Sequence, residues 1–152
     1  AAALDGGSAD GPLTLTRATD RAVYVVTVNN TGSVAGDEVV QVFVSPAAPR
    51  RLGYPVPGSN DTAALQVLVG FERVTLSPGQ STTVTFNVTA STFADVDGNG
   101  DRVLRNGAYR LFASTGPQRH VVDVAVALPE GALVLRRNPL RGLGGGSPAR
   151  HV

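Results

Sequence analysis

The sequence predicts an all-β fold, two antiparallel sheets packed as a sandwich of about seven strands, and three features carry that expectation. The middle of the chain is dense in Val and Thr, which favour strands, and alternates apolar with polar positions in one segment after another. Gly and Pro collect at turn positions and at the two ends, punctuating the alternating segments at the spacing a sandwich uses. No segment carries a convincing helical period. At 152 residues, 42% hydrophobic and 16% charged, the chain suffices for one domain with its own core.

Residues 1–11 are small and polar without periodicity, as a linker or frayed terminus is, and 12–128 is the predicted domain. Residues 12–17 are a short first strand. From Arg21, Tyr24, Val26 and Val28 alternate with Val23, Val25 and Thr27 until Asn30, Thr31, Gly32 and Ser33 break the second strand. Residues 38–45 form the third, with Val40, Val42 and Val44 on a core face. Its other face, Val39, Gln41 and Phe43, is apolar for a solvent face and reads either as lying beneath a loop or another domain or as singly exposed hydrophobes of the ordinary kind. Residues 46–64, rich in Pro and Gly, read as a long loop.

Residues 68–88 are the best-patterned stretch: two strands read as a hairpin about Ser77, Pro78, Gly79 and Gln80. Pro78 presets φ at the first corner and Gly79 accepts the positive φ of the second. Val84, Phe86 and Val88 point inward. Residues 89–107 are polar and glycine-rich around Phe93. Tyr109, Leu111 and Ala113 then face inward on a sixth strand, and Val122, Val124, Val126 and Leu128 on a seventh that Pro129 stops. Residues 129–152 read as a disordered Gly/Arg-rich tail. Tyr109, at the start of the penultimate strand, is placed like a tyrosine corner, a mark of immunoglobulin-like and fibronectin type III sandwiches.

Charge and composition exclude several classes. Residues 131–152 hold four Arg and no acid, and residues 1–130 hold nine Arg against twelve acids, so the folded part is mildly acidic, with no basic stripe for nucleic acid. With no Cys there is neither a disulfide framework nor a thiolate metal site. No apolar run reaches a membrane span and no signal peptide is visible; the chain begins at Ala and looks like a piece of a longer one.

Four stretches in order, Val26 to Gly32, Ala35 to Ser45, Leu68 to Phe86 and Gly107 to Tyr109, resemble the fibronectin type III-like domain that closes many family three glycoside hydrolases, the β-glucosidases and β-xylosidases. The resemblance covers residues 13–127. It is most specific where Gly36 to Gln41 is followed by Gly70 and Phe71 and then by Pro78 and Gly79. It implies an accessory structural domain, inactive alone, that braces upstream catalytic domains absent here. Carbohydrate substrate would be met only through the parent enzyme, which would be extracellular. No catalytic residue is carried over, and no cofactor, nucleic acid or membrane is expected. The alternative is a free-standing adhesion or carbohydrate-binding sandwich, against which the absence of Trp weighs, since sugars stack on exposed aromatics.

Few residues are candidates for chemistry. Asp95, Asp97 and Asp101 form the one acid cluster, in a solvated turn unlike the opposed carboxyl pair of a glycosidase. With Asn99 they match the opening of a calcium loop, oxygen ligands at alternate positions and Gly100 at the sixth, although the twelfth position is Asn106 rather than a chelating Glu. Asn29, Asn60 and Asn87 are candidate glycosylation acceptors. His120 and His151, far apart in sequence, do not suggest a transition-metal site.

Overall fold

The computed structural model describes residues 2–5, 13–47, 66–116 and 119–140, with residues 2–5 as a backbone path. The described residues form eleven strands: β1 (Ala2–Asp5), β2 (Leu13–Leu15), β3 (Arg21–Asn30), β4 (Gly36–Pro46), β5 (Val67–Leu76), β6 (Ser81–Thr89), β7 (Asp95–Val96), β8 (Arg102–Arg105), β9 (Gly107–Ser114), β10 (Arg119–Val126) and β11 (Ala132–Arg136). A single 3-10 turn covers Ala90–Phe93. The seven predicted strands are β2 to β6, β9 and β10.

The strands make a five-stranded sheet in the order β2-β10-β9-β4-β5 and a three-stranded sheet in the order β1-β3-β6. A smaller sheet, β11-β8-β7, closes one end. Between the first two lies the core, in which Val26 and Val28 of β3 meet Val40 and Val42 of β4, Leu111 and Ala113 of β9, and Val124 of β10. These are the inward positions of the period-two pattern. Burying a side chain of that size is worth about 1.5–3 kcal/mol, so a register slip of one residue, which turns the whole inward set to solvent, is strongly disfavoured.

The hairpin expected for residues 68–88 is corrected. Its turn forms as predicted, with the Gln80 N–H donating to the Ser77 carbonyl at 3.0 Å and Gly79 at φ 71°. The two strands, however, do not pair: β5 is antiparallel to β4, and β6 is antiparallel to β3. The turn therefore carries the chain from one sheet to the other. It is held there by the end of β3, since Asn30 donates its N–H to the Gln80 carbonyl and accepts from the Gly79 N–H, both at 2.9 Å. Alternation tells which face of a strand is apolar; it does not tell which neighbour satisfies the backbone.

Both predicted ends are structured in part. Ala2–Asp5 pairs with β3, and Ala132–Arg136 pairs with β8 across Val103 and Leu104, both buried. The apolar run Ala132 to Leu135 is what makes a strand of the second. The predicted loop lies almost wholly in residues 48–65, outside the described residues, as do residues 141–152 of the tail. The tyrosine corner is present, the Tyr109 hydroxyl donating to the Arg105 carbonyl at 3.0 Å.

Candidate functional site

Asp97 begins the turn between β7 and β8, and its Oδ1 accepts the N–H groups of Asn99 and Asp101, each at 2.9 Å. Partial desolvation pushes the Asp97 carboxyl up, but these two N–H donors, with the Asn99 side chain and the Arg105 guanidinium, outweigh it and hold the group below the ordinary carboxylate value. Asp101 is buried, and its Oδ1 accepts the Asn138 N–H at 2.7 Å. The Asn138 side-chain amide donates to the Asn99 carbonyl at 2.8 Å. Asp95 lies in the ladder opposite Val103.

The four residues expected as a calcium loop share one hairpin. Among the described residues no three His, Asp or Glu side chains converge as metal ligands. The turn closes with Asp97 Oδ1 and Asp101 Oδ1 accepting N–H groups, and through Asn138 it holds the chain after β11.

His120 belongs to a second polar cluster. Tyr24 is buried, its ring stacked on His120 with centroids 5.8 Å apart. Its hydroxyl donates to the His120 carbonyl at 3.0 Å, accepts the Ala113 N–H at 3.2 Å and lies 2.8 Å from His120 Nδ1. One hydroxyl proton serves one acceptor, so these three contacts are satisfied together when Nδ1 carries the imidazole proton. Burial pushes the Tyr24 phenol up to about 12. His151 lies outside the described residues.

Of the glycosylation candidates, Asn87 is exposed on β6 and Asn29 is half-buried on β3, opposite Ser81. Both lie on the outer face of the three-stranded sheet. Asn60 is outside the described residues.

The outer face of the five-stranded sheet is different in kind. Leu68 of β5 is opposite Phe43 of β4, Phe43 is opposite Phe112 of β9, and Phe112 is opposite Val121 of β10. Four apolar side chains therefore run in one line across four strands. The Phe43 and Phe112 rings stack at 5.3 Å, and the Arg119 guanidinium lies 5.3 Å from the Phe112 centroid. Phe71 and Val39 extend the row at 67% and 40% exposure. Around it sit the Arg110 and Asp123 pair at 3.6 Å and the Asp37 carboxylate, which accepts from Thr75 and Arg73. The Thr75 hydroxyl first, then the Arg73 guanidinium, hold the Asp37 carboxyl below its ordinary value.

Sequence reasoning singled out Val39, Gln41 and Phe43 and missed the rest of this face. The signal was available as apolar residues at outward positions of several strands, but only the register shows that they align. Three of the five Phe, Phe43, Phe71 and Phe112, lie on it.

Comparison with known proteins agrees with this geometry. Residues 38–116, just over half of the chain, match the fibronectin type III-like domain. The chain is 33% identical over 94 residues to a probable exo-1,4-beta-xylosidase of Aspergillus oryzae, covering 61% of this chain and 11% of that one. It is 37% identical over 92 residues to a beta-glucosidase of Pyricularia oryzae, covering 58% and 12%. The crystal structure of a beta-glucosidase from Listeria innocua matches with a TM-score of 0.67 and 26% identity, over 84% of this chain and 16% of that one. The chain thus spans about a tenth of the length of the curated relatives it matches. With its two sheets, its tyrosine corner and the match across β4 to β9, the chain belongs to the fibronectin type III-like domain family.

Proposed function

We propose that this chain is the accessory β-sandwich of a family three glycoside hydrolase, a β-xylosidase or β-glucosidase, in which it braces catalytic domains carried elsewhere on the polypeptide. One observation carries the reading: the segment this fibronectin type III-like chain shares with each relative is about a tenth of a protein named as a xylosidase or glucosidase. The polar clusters support it, because Asp97, Asp101, Tyr24 and His120 are committed to holding strands and turns. Substrate is then met by the parent enzyme alone.

The parent acts outside the cell, and Asn87, exposed at an outward position, carries a glycan when the host glycosylates secreted proteins. Mass spectrometry of the native protein reads this as a mass increment on the peptide containing Asn87; an unmodified peptide from a glycosylating host sinks it. For the main reading, the full reading frame is expressed and assayed on aryl xylosides and glucosides beside the 152-residue chain. Turnover by the full-length protein alone is expected. Turnover by the chain itself after repurification, or a reading frame without a glycosidase domain, overturns the proposal.

A further inference from the structure

We propose that Asn99 is a site of spontaneous modification, an asparagine that closes on Gly100 to a succinimide and opens to isoaspartate or aspartate, and that this conversion loosens the hold of the β7-β8 turn on the chain after β11. Asparagine followed by glycine is the pair most prone to this chemistry, because without a Cβ the next backbone nitrogen can approach the side-chain amide carbon. Asn99 and Asn106 are the asparagines that precede glycine. The fold treats them differently.

Asn99 and Gly100 are exposed at the tip of the turn. The Asn99 side chain is hydrogen-bonded to the Asp97 carboxylate, a surface contact that water can replace. The Gly100 N–H donates to the Asp97 carbonyl at 2.8 Å and has to leave it for the reaction, but here too water takes over the bond when the turn opens. Asn106, by contrast, is held at both ends of its amide: Nδ2 donates to the Leu128 carbonyl at 2.9 Å, and Oδ1 accepts the Leu128 N–H. Its backbone N–H donates to the Gly131 carbonyl at 2.8 Å. Turning the Asn106 amide toward Gly107 breaks both bonds to Leu128, a buried residue, and leaves backbone groups there without their partner.

The Gly100 nitrogen, having lost its proton to solvent base, attacks Asn99 Cγ; the new N–C bond forms, and the Cγ–Nδ2 bond breaks with its electron pair leaving on ammonia, which takes up the proton. Water then adds to one of the two ring carbonyls. Opening at Cγ gives aspartate, and opening at the Asn99 backbone carbonyl gives isoaspartate; no oxidant or reductant takes part. Either product places a new carboxylate near Asp97 and Asp101, and isoaspartate lengthens the backbone of the turn by a methylene. The grip on Asn138 depends on that backbone, since the Asn99 carbonyl accepts from Asn138 Nδ2 at 2.8 Å while Asp101 Oδ1 accepts the Asn138 N–H at 2.7 Å. Conversion moves the first acceptor and sets like charge near the second. Arg137, exposed and next to Asn138, is where a loosened chain becomes open to a protease. The assignment holds whatever the parent enzyme hydrolyses.

The 152-residue chain, incubated folded at mildly alkaline pH and mapped by mass spectrometry, tests the site without a variant. The peptide containing Asn99 is expected to convert several-fold faster than the one containing Asn106, with isoaspartate the larger product, while in urea the two rates draw together. Equal rates in the folded chain, or conversion of Asn99 in urea only, overturns the proposal. The converted form, separated by its added charge, is then digested briefly with trypsin beside the unconverted form. Cleavage after Arg137 several-fold faster is expected, and equal cleavage overturns the link to Asn138. Asn99→Gln, whose longer side chain closes such a ring far more slowly, should keep Arg137 resistant through the same incubation; loss of resistance at the native rate overturns the link as well.

Discussion

The Tyr24 hydroxyl lies 2.8 Å from Nδ1 of His120 and 3.0 Å from its carbonyl oxygen, and so joins β3 of the three-stranded sheet to β10 of the five-stranded one. The same oxygen accepts the Ala113 N–H of β9. Tyr24→Phe keeps the ring and removes the oxygen, leaving a buried donor without its partner. A loss of about 1–3 kcal/mol is expected, read as a lower urea midpoint.

Tyr24 also sets an alkaline limit. Burial raises its pKa from 10.0 to about 12, so the folded state holds its proton where the unfolded chain releases it. The stability linked to this group is fully present below pH 10 and is lost as pH rises through about 12. The urea midpoint of the native chain should fall across that window, and Tyr24→Phe should flatten the fall. An unchanged slope in the variant would place the alkaline transition elsewhere.

At acid pH the sign reverses. Asp20 is held low by the Thr16 and Arg17 N–H groups, at 2.7 and 2.9 Å, and Asp37 by Thr75 and Arg73. Their folded pKa values lie below the unfolded 3.8, so the stability they contribute is present above 3.8 and disappears as pH falls through the folded values. Asp20→Asn should weaken the dependence of the midpoint on pH below 4 and leave it unchanged at pH 7 and above in slope.

Gly100 sits at φ 79°, and a Cβ built there meets the Asn138 amide nitrogen at 2.7 Å. Gly100→Ala is therefore strained in backbone and displaces the residue that pins the chain after β11. A loss of about 1–3 kcal/mol is expected, with faster proteolysis between β11 and the C-terminus. Because Asp97 and Asp101 already accept N–H groups, millimolar calcium should leave the melting temperature of the native chain unchanged. A rise abolished by chelator would restore the calcium loop.

Gly70 faces Phe86 across the core, where a Cβ would come within 3.1 Å of the ring. Gly70→Val adds more than this gap admits, and overpacking costs about 1–3 kcal/mol. Equilibrium unfolding of the variant checks it, and an undiminished midpoint would mean that Phe86 yields freely.

Much of the fold was legible in the sequence because alternation is a local property. The inward sets of β3, β4, β9 and β10 could be read from period two alone, the turn at Pro78 and Gly79 from φ preferences, and Tyr109 from its place at a strand start. The strand β11 was not legible, since Pro129 and the glycine-rich residues beyond it outweighed the short apolar run at Ala132 to Leu135. The turn at Asp97 showed its oxygens in sequence but not their acceptor roles, because the donor Asn138 is 37 residues away from Asp101.

The sequence by itself determined that the chain is a β-sandwich of this family, which residues face inward, and where the turns fall. Tertiary structure decided the rest: that β5 and β6 part company into different sheets, that Tyr24 clasps one sheet to the other, and that Leu68, Phe43, Phe112 and Val121 form one row. The physical reason is the same in each case. Side-chain period and turn geometry act between residues close in the chain, whereas strand pairing, inter-sheet hydrogen bonds and a surface row depend on which distant backbone supplies the partner.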